Sequence, residues 1–227
     1  MAGLADEIVD LYRRTFGLVR AVPLVAIISF APAMLQHVAP GLPAIGLIKT
    51  FAMLGALIFA LRWWRFDRDA AKAVRPDAWL ARGVAIALAA ELGGMILFGL
   101  AGQLLARAAN AEAGSIAWLI SATVPILLWA MLSVLLFPWF VALLTDETDM
   151  TIRRSIAAVY PIWGSAFALY AAAILPPMIL RGLLAMGAAV SGGPLLAVLI
   201  AADAGASAAM PLLVAASYYS IHLRVRS

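Results

Sequence analysis

The chain contains no cysteine, which removes disulfides, thiolate nucleophiles, thiolate-bound zinc and iron–sulfur clusters together. Charge is nearly as scarce: 12% of the residues are Asp, Glu, Lys or Arg, against roughly 25% in soluble domains. The two histidines, His37 and His222, belong to opposite depths of the stretches that carry them, so no metal or haem shared between them is expected within one chain. There is no glycine-rich phosphate loop, no GxSxG elbow and no HExxH pair. Catalytic residues, metal ligands and cofactors are accordingly all expected to be absent. Asp6, Glu7 and Asp10 precede Arg13 and Arg14, which is not the basic segment and short apolar core of a signal peptide. The first hydrophobic stretch is therefore expected to remain as a span.

What is present is apolar length. Of 227 residues, 65% are hydrophobic, and the mean hydropathy is +1.01. The run from Ile116 to Leu144 carries no Asp, Glu, Lys, Arg or His. As a helix rising ~1.5 Å per residue it more than covers a hydrocarbon core of ~30 Å. Trp118 and Trp139 stand near its two ends, where amphipathic rings prefer the interface. The predicted fold is a single all-α, polytopic membrane domain. Its six spans lie at about 18–38, 45–61, 84–106, 116–144, 161–186 and 195–221, paired as three hairpins, each preceded by a short amphipathic interfacial helix.

The first lead-in repeats Leu4, Ile8, Leu11 and Tyr12 at helical spacing. The turns at Ala39–Pro43 and Ser191–Pro194 are too short for anything but hairpins. Pro23 and Pro32 fall inside the first span, where neighbouring helices tolerate them. Asp6-Glu7 followed by Arg13-Arg14-Thr15 matches Asp146-Glu147 followed by Arg153-Arg154-Ser155, which suggests an internal repeat of lead-in plus hairpin.

Basic residues fall on one side of this scheme. All of them except Lys49, Arg107 and Arg181 lie at the N-terminal entrance, in the second and fourth connections or at the C-terminus, which predicts both termini in the cytoplasm. The net charge of +4 thus reports orientation and not nucleic-acid binding. Arg62, Arg65, Arg68, Arg153 and Arg154 are the candidate contacts to anionic lipid headgroups.

The lead-in Ala5-Asp6-Glu7-Ile8-Val9-Asp10-Leu11-Tyr12-Arg13-Arg14, the stretch Ile152-Arg153-Arg154-Ser155 running into Tyr160-Pro161-Ile162-Trp163, and the ending Tyr218-Tyr219-Ser220-Ile221-His222-Leu223-Arg224 together resemble bacterial YciC-like membrane proteins. They are similar also to the membrane domain attached to some glycerophosphodiester phosphodiesterases. The resemblance spans essentially the whole chain and implies a non-catalytic, six-span inner-membrane protein. It brings no functional residue with it.

Few ionisable groups fall inside the spans. Glu91, well beyond Arg82 on the third span, is costly at that depth and so a functional candidate. Gly93 and Gly94 beside it permit close helix approach and favour a packing role, with a proton or ion path as the alternative. Asp203, in the outer half of the sixth span, is a plausible counter-ion for Arg181 or Lys49. Arg181 is expected near the outer interface, where its guanidinium can snorkel. Pro125, Pro138 and Pro176-Pro177 interrupt the fourth and fifth spans, as kinked packing or as the broken helices of a transporter.

The function expected is that of an accessory, scaffold or assembly factor in the bacterial inner membrane, in contact with lipid and with a membrane-protein partner or a second copy. The alternatives are a small transporter or channel using Glu91 and Asp203, and an intramembrane enzyme acting on lipid.

Overall fold

A computed structural model describes residues 3–39, 42–76, 78–112 and 115–226, so Pro40 and Gly41 of the first expected turn lie outside the described residues. The described residues are helical throughout, without strands: α1 (Leu4–Ala21), α2 (Pro23–Val38), α3 (Pro43–Arg65), α4 (Ala70–Val74), α5 (Ala78–Ala108), α6 (Ile116–Ser133), α7 (Phe137–Leu144), α8 (Ile152–Val159), α9 (Trp163–Val190) and α10 (Gly193–Arg224). Five runs are long and apolar enough to cross a bilayer, and the bent pair α1–α2 would make a sixth if taken as one span. The protein is an all-α polytopic membrane protein.

The first crossing differs from expectation. Leu18–Ala21 belongs to α1, and the chain turns by 94° before α2 begins. Pro23 is the cause: it lacks an N–H and its ring excludes the preceding carbonyl, so it starts a helix and cannot continue one. Val22 makes the turn at φ −135° and ψ 73°. Straight α2 has 16 residues, about 24 Å of rise, and falls short of a hydrocarbon core alone. The third lead-in behaves otherwise: α8 continues through a 3-10 turn at Tyr160–Ile162 into α9, giving one run from Ile152 to Val190.

The fourth run is interrupted where Pro138 enters α7, and a 3-10 turn at Val134–Leu136 absorbs the missing hydrogen bond. Ser155 of α8 repairs the break. Its Oγ donates to the Leu135 carbonyl at 2.7 Å and accepts from the Trp139 N–H at 3.3 Å. Trp163 Nε1 donates to the Met131 carbonyl at 3.0 Å. Backbone groups released in lipid are satisfied in this way by neighbouring side chains.

Three helices end by one device. Asp67, Asn110 and Asp146 sit in the left-handed region at φ 52°, 50° and 59°. The next residue's N–H then reaches back five positions, from Arg68 to Trp63, Ala111 to Ala106 and Glu147 to Ala142. Asp and Asn adopt this conformation more readily than most residues, and the bond satisfies carbonyls left over at a helix end.

The chain divides into two compact units, residues 1–75 with 168–227, and residues 76–167. In the first, α10 is the central helix, packed by α1, α2 and α3. Its buried side is built of small residues, among them Ala204, Ser207, Ala208, Ala215 and Ala216, which let helix backbones approach closely. Leu11, Thr15 and Leu18 of α1 are buried on one helical face, and the Tyr12 hydroxyl donates to the Ala172 carbonyl of α9 at 2.7 Å.

In the second unit α5 packs on α6 and α7. Gly83 lies against the Leu143 carbonyl and Gly94 against the Trp129 indole, with no room for a Cβ at either. At Gly102 a Cβ would come within 2.8 Å of the Ser121 carbonyl. The other faces of α5 carry exposed Leu92, Ile96, Leu97, Leu100 and Leu104, a surface suited to lipid.

Candidate functional site

Four helices of the first unit bring polar side chains together. Arg181 of α9 donates from Nε to Asp203 Oδ1 at 2.8 Å and from Nη2 to Oδ2 at 3.4 Å, a two-pronged grip on one carboxylate. His37, in the last turn of α2, places Nε2 2.8 Å from Asp203 Oδ2. Lys49 of α3 donates to Gln36 Oε1 at 2.8 Å and lies within electrostatic reach of Arg181 and Asp203.

Asp203 is thus brought to Arg181, while Lys49 turns to an amide on α2. Helix α9 runs on to Val190, about two and a half turns past Arg181. The guanidinium is held at Asp203. The Asp203 side chain is 8% exposed, whereas those of Arg181 and His37 remain about a third exposed. The carboxylate is enclosed and its donors reach it from the rim. His37 is the member that sequence reasoning missed as a partner. The available signal was depth, since His37 and Asp203 both fall in the outer halves of their spans.

Glu91 forms a second arrangement, in the other unit. Trp129 Nε1 donates to Glu91 Oε2 at 3.0 Å, joining α5 to α6. The indole rests on Gly94 and lies 5.6 Å from the Phe98 ring, centre to centre. Gly94 creates the space that lets Trp129 reach the carboxylate. Gly93 meets nothing within 4 Å, so of the two adjacent glycines one is a contact and the other faces open space.

The candidate lipid-contacting arginines divide. Arg65, Arg68, Arg153 and Arg154 are exposed, and Arg154 also donates to the Asp149 carbonyl at 3.0 Å. Arg62 is not available to a headgroup. It is 1% exposed, and its guanidinium donates to the carbonyls of Ala73 at 3.1 Å, Lys72 at 3.4 Å and Arg75 at 3.3 Å. Those carbonyls lie at the end of α4, where acceptors lack helical partners and a buried arginine can satisfy them; that of Lys72 also accepts from the Arg75 N–H. The chain folds back over Arg62 and makes it a structural cap.

No protein-family model, curated protein or solved structure matches the chain. The arrangement is therefore read from its own chemistry. Among the described residues no three His, Asp or Glu side chains converge as a metal would need. The Asp203 cluster can fasten α2, α9 and α10 together. The Glu91–Trp129 bond can fix the register of α5 on α6. His222 and Glu147 are both buried.

Proposed function

We propose that this chain is a non-catalytic scaffold or assembly factor of the bacterial inner membrane. Both termini face the cytoplasm, and the exposed basic residues Arg65, Arg68, Arg153 and Arg154 contact anionic headgroups. The observation that carries the reading is the use made of ionisable groups inside the long helices. Arg181, Asp203 and His37 hold one another, Lys49 holds Gln36, and Glu91 holds Trp129. Each contact joins helices, so removing a partner would disturb packing first. The resemblance of the lead-in segments to YciC-like proteins supports the same reading.

The test is purification in mild detergent followed by mass spectrometry of proteins and lipids. A scaffold predicts a stoichiometric partner, or a second copy of the chain, together with retained anionic lipid. A lone protomer stripped of both would contradict the reading.

A second reading, a small transporter, has one observation in its favour: the cluster around Asp203 gathers polar groups from four helices and keeps an exposed rim. It predicts that Asp203→Asn abolishes pH-dependent flux in proteoliposomes while the protein remains folded. The scaffold reading predicts lost thermal stability and no flux to abolish.

A further inference from the structure

The first unit has a half-open cavity of 530 Å³ between α1, the end of α3 with the turn that follows it, and the end of α10. That is within the range of roughly 300–1,000 Å³ usual for small-molecule sites. Its lining is unlike the apolar packing around it: Asp10, Arg13, Arg14 and Gly17 come from α1, Trp64, Asp67 and Arg68 from the α3 end, and Tyr219 from α10, so that three guanidinium groups face two carboxylates. We infer that this cavity is a binding site for the phosphate of an anionic membrane lipid, with the glycerol backbone against the aromatic rings and the acyl chains leaving along the spans.

Three observations support this. The first is charge. Arg14 is paired with Asp10, but among the described residues neither Arg13 nor Arg68 has a carboxylate partner, which leaves two guanidinium groups for a phosphate.

The second is preorganisation of the wall. The Arg14 guanidinium lies 5.9 Å from the Tyr219 ring centre and that of Arg68 lies 5.8 Å from the Trp63 ring. The rings of Trp64 and Tyr219 are 5.9 Å apart, and the Tyr219 hydroxyl donates to the Trp64 carbonyl at 3.2 Å. An arginine held over an aromatic face, as Arg68 is on Trp63, keeps its N–H edge for an anion, while Arg14 spends its own on Asp10.

The third is strain. Asp67 and Arg68 are consecutive non-glycine residues with positive φ, 52° and 68°. One such residue suffices to end α3, and the second turns Arg68 back toward the cavity. Backbone cost of this kind concentrates where a side chain has to be held in place.

A soluble phosphoester shares the phosphate chemistry. Position and lining favour the lipid, because the cavity opens where spanning helices end and carries Trp, Tyr and Leu223 beside its charges. The inference rests on the reading of these helix ends as facing an anionic leaflet. Impermeant labelling of the two termini tests that reading separately, so a failed binding experiment with both ends inside would count against the site alone.

The experiment is native mass spectrometry of the full chain in neutral detergent, titrated with dioctanoyl phosphatidylglycerol, dioctanoyl phosphatidylcholine and inorganic phosphate. The expected result is one saturable phosphatidylglycerol, retained in preference to phosphatidylcholine and not displaced by equimolar phosphate. Arg13→Gln with Arg68→Gln should weaken it by about fivefold per arginine. Gly17→Leu, built where an added Cβ meets nothing within 4 Å, should fill the cavity and weaken binding comparably with every charge kept. Arg82→Gln with Arg107→Gln, both exposed and in the other unit, should change it by about twofold at most. Equal losses in the two arginine pairs, or full binding by Gly17→Leu, would overturn the site, since either outcome describes diffuse surface attraction. Displacement by equimolar phosphate would overturn the lipid as the ligand.

Discussion

Asp203 is the residue whose loss the structure would register most. It is enclosed, and two donors from different helices converge on it, so Asp203→Ala leaves Arg181 and His37 facing an empty acceptor. Breaking a fully buried pair costs about 3–5 kcal/mol. With both donors a third exposed, roughly 2 kcal/mol is expected. Thermal unfolding in detergent checks this: Asp203→Ala and Arg181→Met should each lower the midpoint, and Arg181→Met with Asp203→Leu should recover part of the loss. Additive losses would show that the two groups do not act as a pair.

Glu91 gives a sharper contrast. Gln keeps an acceptor for the Trp129 indole, so Glu91→Gln should leave stability within about 0.5 kcal/mol. Trp129→Phe removes the only N–H of the side chain and should cost about 1–3 kcal/mol. A reversed order in the same unfolding assay would remove the packing role. Outside the spans, Asp69 caps α4 by accepting from the Lys72 N–H at 3.1 Å. That bond holds its carboxyl below the ordinary carboxylate value. A group depressed in the folded state stabilises it fully above its unfolded pKa, and the contribution is lost as pH falls through the lowered one. Amide exchange in α4 should stay protected at neutral pH and lose protection in acid, and Asp69→Ala should remove the protection already at neutral pH.

For whole helices, much was legible because it depends on local composition. Long apolar runs gave the spanning helices, and the Ser191–Pro194 turn falls where α9 hands over to α10, with Gly193 at φ 57°. Two features were not legible, for the same reason. Pro23 inside an apolar stretch can kink a span or end it, and the outcome depends on tertiary packing, here that of α1 on α10 and α2. Arg62 reads as one more basic residue at a membrane surface until α4 folds back to offer its carbonyls. Both depend on contacts between segments that sequence spacing does not encode. The Asp203 cluster was half legible: the pairing with Arg181 follows from depth, but the imidazole of His37 and the diversion of Lys49 to Gln36 depend on side-chain reach.

Glycine makes the helix-level account testable. Gly94→Ala drives a Cβ into the Trp129 ring and should cost about 1–3 kcal/mol. Gly93→Ala, one position along and facing open space, should be neutral or stabilising by up to ~1 kcal/mol. Equal effects of the two in thermal unfolding would mean that α5 and α6 do not meet at Gly94.

At the scale of the whole molecule the two chain ends are tied together. Arg224, in the last turn of α10, donates to Glu7 in the first turn of α1 at 3.3 Å, and Tyr219 reaches the Trp64 carbonyl at the end of α3. Both termini then share one face of the bilayer, which is the cytoplasmic one in the orientation proposed above. Because the chain has no cysteine, a single introduced thiol reports its own position. Ala5→Cys, Arg226→Cys and Asn110→Cys, each labelled with a membrane-impermeant maleimide in sealed cells and again after lysis, form the most direct measurement. The account predicts that Ala5→Cys and Arg226→Cys react after lysis only, while Asn110→Cys reacts in sealed cells. Reaction of Ala5→Cys and Arg226→Cys from opposite faces would contradict it.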